Sequence, residues 1–166
     1  MKHTLEGNVI TLVTALDEAS MFVLFAARTH RANQQRSVRR RQCLCHLFHS
    51  AGMCGSQILF AELQNTLIAD DTWGFQPAER GARVVNRQEM LLLAALSHWQ
   101  RHPADTSDLP LRGLAPPAAR RIAAPLAREF AQRMVYSGLL LDFHSPEARH
   151  DAAASTSTTA GAALTH

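Results

Sequence analysis

The stretch Asn86-Arg-Gln-Glu89, followed at once by Met90-Leu-Leu-Leu-Ala-Ala-Leu96 and Trp99, constrains the fold of this chain more than any other. An asparagine with a glutamate three positions later forms a capping box, each side chain satisfying a free backbone N–H in the first turn of a helix. The run behind it consists of strong helix formers, and His102 stands before Pro103, a position that disfavours helical backbone. A helix over 87–101 follows.

The same three- and four-residue spacing of apolar side chains recurs in three further stretches. Val9, Leu12, Val13, Leu16, Val23, Leu24 and Ala27 predict a helix over 9–28, capped by Asn8. Leu44, Leu47, Phe48, Ala51, Cys54, Ile58, Leu63 and Leu67 predict one over 38–69, interrupted at Gly52 and Gly55. Ile122, Leu126, Phe130 and Met134 predict a last helix over 117–137, opened by Pro116-Pro117, carrying Pro125 as an internal kink and stopped by Gly138. The reading is all-α: a small bundle of about four main helices in a single domain over 1–145, with a disordered Ala/Ser/Thr-rich tail over 146–166.

Length and composition agree. A chain of 166 residues, 46% hydrophobic and 19% charged, can bury a core without disulfides or metal. The most apolar segment, Val9 to Ala27, carries Asp17 and Glu18 at its centre. A central aspartate costs a membrane span about 2.5–3.5 kcal/mol, so the segment reads as a buried helix and no membrane span is expected. Three cysteines, an odd number, and a start without a signal-peptide pattern point to a reduced, cytoplasmic setting.

Asn86-Arg-Gln-Glu89, Leu111 to Leu114, Pro116-Pro117-Ala-Ala-Arg120 and Ser137-Gly138-Leu-Leu-Leu141 together resemble the C-terminal half of small helical proteobacterial proteins with no assigned function. The resemblance rests on helix caps and implies a helical fold in a bacterial protein; it carries no catalytic residue.

The chemically unusual stretch runs from Arg36 to Gly55. Arg36, Arg39, Arg40 and Arg41 read first as a solvated helix face and alternatively as a phosphate-binding run for nucleic acid. Cys43, Cys45, His46 and His49 are the metal or redox candidates: helical spacing puts Cys45 and His49 on one side, with Met53 a further four along as a soft ligand, and Cys43 with His46 on another. Four tetrahedral ligands are hard to assemble from them, so no cofactor is expected, with zinc or copper the only metals in view. Cys54 is placed in the core. Gly52 and Gly55 are read as a notch for close helix contact.

Enzymes leave no signature here. Glu6, Glu18, Glu62, Glu89 and Glu129 each lack a histidine three residues on, and no nucleophile elbow or phosphate loop is present. Asp17 and Glu18 are expected to pair with an arginine from another helix. The chain reads as a small non-enzymatic interaction or regulatory protein of bacterial type, burying part of its first or second helix against a protein partner or a second copy. The alternative is a nucleic-acid-binding regulator that uses Arg36 to Arg41.

Overall fold

A computed structural model describes residues 12–34, 39–68 and 75–142, with side chains described except at 33, 34 and 39–41. The expected Asn8 cap, Arg36 and the 146–166 tail lie outside these residues. Five α-helices make up the described chain: α1 (Glu18–Gln34), α2 (Arg39–Ser50), α3 (Ser56–Ile68), α4 (Arg87–Arg101) and α5 (Pro117–Tyr136). Short 3-10 turns occupy Val13–Ala15 and Leu109–Leu111. No strand occurs among the described residues, and the run Val84-Val85 supplies only an isolated antiparallel bridge between Leu12 and Val84. The fold is an all-α bundle.

The first helix starts later than its apolar spacing predicts. Asp17 ends the preceding segment and caps α1: its carboxylate accepts from the Ser20 backbone N–H at 2.7 Å and from the Ser20 hydroxyl at 2.7 Å. The expected partnership of Asp17 with a distant arginine is therefore replaced by a local cap, the arrangement that aspartate favours at a helix start. Residues 12–16 run as an extended bridge and 3-10 turn, with Val13 N–H donating to Arg83 O at 2.9 Å.

The predicted helix over 38–69 is two helices. At the end of α2, Met53 N–H donates to Phe48 O at 2.8 Å and Gly52 N–H to His49 O at 3.0 Å, while Gly52 holds φ at 70°. This is a Schellman stop, with glycine in the left-handed position and an apolar residue after it turned back onto the helix. Gly55, at φ 81°, then redirects the chain into α3. Within the described residues the expected notch for close helix contact is not used: a methyl group added at Gly52 or Gly55 would meet nothing within 4 Å. Their left-handed backbone, not their small size, is what the fold uses.

The predicted boundaries hold for the last two helices. Asn86 Oδ1 accepts from Glu89 N–H at 2.8 Å, and Glu89 Oε2 accepts from Asn86 N–H at 3.0 Å, completing the capping box. α5 runs through Pro125, which faces solvent, and ends in a second Schellman stop: Leu139 N–H donates to Met134 O at 2.9 Å, with Gly138 at φ 76°. Leu139 to Leu141 then pack back against α4. The Gln100 side chain donates to Leu139 O and accepts from Leu141 N–H, both at 2.8 Å.

The core forms where α1, α2, α3 and α5 converge. Phe48 lies 5.1 Å from Phe22, 5.6 Å from Phe60 and 6.1 Å from Phe130, measured between ring centroids, and Phe60 is 4.9 Å from Phe130. Ala123, Ala127 and Ala131 line the buried side of α5, which lies against α3 and α4; their short side chains let the helices approach closely. Trp99 and Leu96 fill the layer contributed by α4.

Candidate functional site

An open groove of about 470 Å³ runs along α1, between the end of α2 and the loop around Arg80. α1 shapes it through its own periodicity. Glu18, Met21, Phe22, Phe25 and Arg28 recur at three- and four-residue spacing and share one side. Phe22 is drawn into the core, whereas Met21 and Phe25 remain 40% and 38% exposed. Val13 closes one side, Leu47 and Ala51 the other, and Leu139, placed by the Schellman stop of α5, contributes to the lining.

Below the groove, Arg28 and Glu89 form a buried ion pair. Arg28 Nε lies 2.7 Å from Glu89 Oε1 and Nη2 lies 2.8 Å from Oε2, with the residues 4% and 0% exposed. The remaining donors of Arg28 reach Ala82 O at 2.6 Å and Val84 O at 3.0 Å. Glu89 Oε1 also accepts from Ala78 N–H at 3.0 Å. Arg28 is thus neutralised and held by four hydrogen bonds, and it ties α1, the 76–86 loop and α4 together. At the rim, the Arg80 guanidinium sits 5.0 Å from the centre of the Phe25 ring, a cation–π contact. Exposed Glu18 marks the other charge at the groove edge. The arrangement is suited to binding by burial: an apolar floor with a few polar groups around it.

Within Arg36 to Gly55, two residues, Met53 and Cys54, are placed differently from the expectation. Arg39, Arg40 and Arg41 open α2, and Arg36 lies outside the described residues. Cys43, Cys45, His46 and His49 are all exposed on α2. Met53, expected as a soft ligand beyond Cys45 and His49, is instead buried at 2% exposure, because the Schellman stop turns it inward. Cys54, expected in the core, is exposed, and its Sγ lies 3.1 Å from His49 Nδ1. Among the described residues, no three His, Cys, Asp or Glu side chains form a group able to hold a metal ion.

No protein-family model, curated protein or solved structure matches this chain.

Two polar features escaped the sequence. The Arg28–Glu89 pair joins residues 61 positions apart; the capping box explained Glu89 so fully that it gave no reason to seek a second partner. At the end of α4, His98 Nε2 lies 2.7 Å from Asp105 Oδ2. Asp105 also accepts from Ser107 N–H at 2.9 Å. That backbone bond first, and the His98 bond second, hold its carboxyl down at about 2. The clue was available in the sequence, since Asp105-Thr-Ser107 is a turn pattern in which aspartate bonds the backbone two residues on.

Proposed function

We propose that this chain is a small, non-enzymatic, cytoplasmic regulatory protein of bacterial type that binds a protein partner through the α1 groove. The observation supporting this is the exposure of Met21 and Phe25, one turn apart, over an apolar cleft in a helix whose other large apolar side chains, Phe22, Val23 and Leu24, are buried. A groove of about 470 Å³ suits two or three aliphatic or aromatic anchors of an amphipathic helix, the mode in which an apolar helix face lies in a cleft. Burying Met21 and Phe25 on binding is worth about 1.5–3 kcal/mol each at full burial, less here because both begin partly covered. Three free cysteines suit a reducing compartment, and among the described residues no helix is long and apolar enough to cross a membrane.

The test uses a photo-crosslinking residue at Phe25 in the native host, with Tyr136, 87% exposed on α5, as the comparison position. A discrete adduct from position 25 and none from 136 is expected, and the purified partner should bind the Met21→Glu variant at least about tenfold more weakly. An adduct of two copies of this chain would replace the hetero-partner by self-association. Equal labelling from both positions, or undiminished binding by Met21→Glu, would overturn the groove reading.

A second reading has one observation in its favour: Arg39 to Arg41 fall in the first turn of α2, where free backbone N–H groups add to the attraction for phosphate. Nucleic-acid binding at these arginines would show a steep loss of affinity with salt that Arg39→Ala/Arg40→Ala/Arg41→Ala flattens. An oligonucleotide that fails to bind even at low salt would eliminate it.

A further inference from the structure

We propose that Cys54 is a thiol modification site, activated by His49, whose co-reactant is a small-molecule disulfide. The proposal does not depend on the groove or on its partner.

The geometry follows from how α2 ends. Gly52 reverses the chain, its N–H bonding back to His49 O at 3.0 Å, and Met53 is anchored both by its bond to Phe48 O at 2.8 Å and by burial of its side chain. Ser56 N–H then donates to Met53 O at 3.0 Å, and Ser56 is buried as α3 begins. Cys54 is therefore held between two anchored residues while its own side chain faces solvent. The turn brings Sγ to 3.1 Å from Nδ1 of His49, five residues earlier, and that histidine is itself exposed. An i, i+5 contact of this kind does not arise on a continuous helix, where neighbours are three and four apart. Among the described residues, Cys54 is the thiol shown with an imidazole nitrogen in hydrogen-bonding reach; Cys43 and Cys45 are also exposed and provide an internal comparison.

A thiol beside an imidazole nitrogen and open to solvent has what thiol–disulfide exchange needs: a local proton acceptor and access for a second sulfur. With the His49 proton on Nε2, Sγ–H donates to Nδ1. As Sγ attacks one sulfur of the incoming disulfide, Nδ1 takes the thiol proton and a new S–S bond forms. The old S–S bond breaks, and its departing sulfur leaves as a thiolate that recovers the proton from His49. One Cys54 thiol and one disulfide become one mixed disulfide and one small thiol; the Cys54 sulfur is oxidised and the leaving sulfur reduced. A second exchange with a small thiol reverses the change, so the modification is reversible.

The test treats the full chain with glutathione disulfide, and separately with an aromatic disulfide that releases a coloured thiol, following each cysteine by mass mapping of quenched digests. Cys54 is expected to react roughly tenfold or more faster than Cys43 and Cys45, less than the roughly hundredfold or more that a positioned base contributes in an enzyme site, because both groups here are exposed. His49→Gln should slow Cys54 by a similar factor and leave the other two rates unchanged, with the circular dichroism spectrum and melting curve preserved. Three thiols reacting at similar rates in the unaltered protein would overturn the proposal without any variant. A His49→Gln protein that is folded and still reacts fast at Cys54 would overturn the role of His49.

Discussion

Arg28 and Glu89 show how much a single contact can carry in a helical domain with little charge. Glu89 accepts from two backbone N–H groups as well as from the guanidinium, and Arg28 donates to two carbonyls as well as to the carboxylate. Removing one partner strands the other at a buried position, so Glu89→Ala should destabilise the fold by about 3–5 kcal/mol in urea unfolding. An apolar replacement of both, Arg28→Met with Glu89→Leu, often restores stability at buried ion pairs. Here it should recover only part, because Ala78 and Asn86 N–H and the Ala82 and Val84 carbonyls lose their partners, each worth about 1–3 kcal/mol if left buried and unpaired. Asp17→Ala tests the other misread carboxylate: loss of the α1 cap should cost about 1 kcal/mol in the same assay.

At the scale of elements, the two Schellman stops account for most of what is unexpected in the fold. Gly138 and Gly52 do the same thing, each followed by an apolar residue that packs back, Leu139 and Met53. Gly138 is legible as a stop because the helix pattern ends there, whereas Gly52 reads only as an interruption, either a break or a close backbone approach, because the pattern resumes beyond it. A glycine followed by an apolar residue was the available signal; continuous periodicity on both sides concealed it. Gly52→Ala should cost about 1–2 kcal/mol, measured as a lowered melting temperature, because alanine in the left-handed region places its Cβ against the following carbonyl. Gly81→Ala is the comparison: Gly81 has neither a left-handed φ nor a neighbour within 4 Å of an added Cβ, so its effect should be small.

For the molecule as a whole, pH stability should reflect His30 near neutrality. Its imidazole is buried on α1 beside Asn65, Nε2 to Oδ1 at 3.0 Å, and burial lowers its pKa below the ordinary histidine value of 6.5 despite the opposing hydrogen bond. A histidine whose folded pKa is depressed contributes stability that is fully present above the unfolded value. As pH falls below about 6.5, the unfolded chain takes a proton that the folded chain refuses, and stability declines. His30→Gln should flatten that decline in urea midpoints measured from pH 7.5 to 5.5. Asp105, held at about 2, acts in a lower window: its contribution persists down to the ordinary carboxylate range and is lost as pH falls through about 2.

The all-α class, the capped α4, the extent of α5 and its glycine stop were determined by the sequence alone, because periodicity, capping pairs and proline are local and act within a few residues. Tertiary structure decided the rest. Whether Asp17 lies inside a helix or caps one depends on the Val13 and Leu12 contacts with residues 83 and 84, roughly 70 positions away. Whether Phe25 and Met21 end in the core depends on which neighbours cover α1, and Arg80 and Leu139 leave them partly open. Cys54 and Met53 exchanged their expected places because one left-handed residue rotates everything after it, and helical spacing does not extend past such a turn. Burial and pairing across long separations are properties of the packed chain, so the groove and the Arg28–Glu89 pair emerged only when the helices came together.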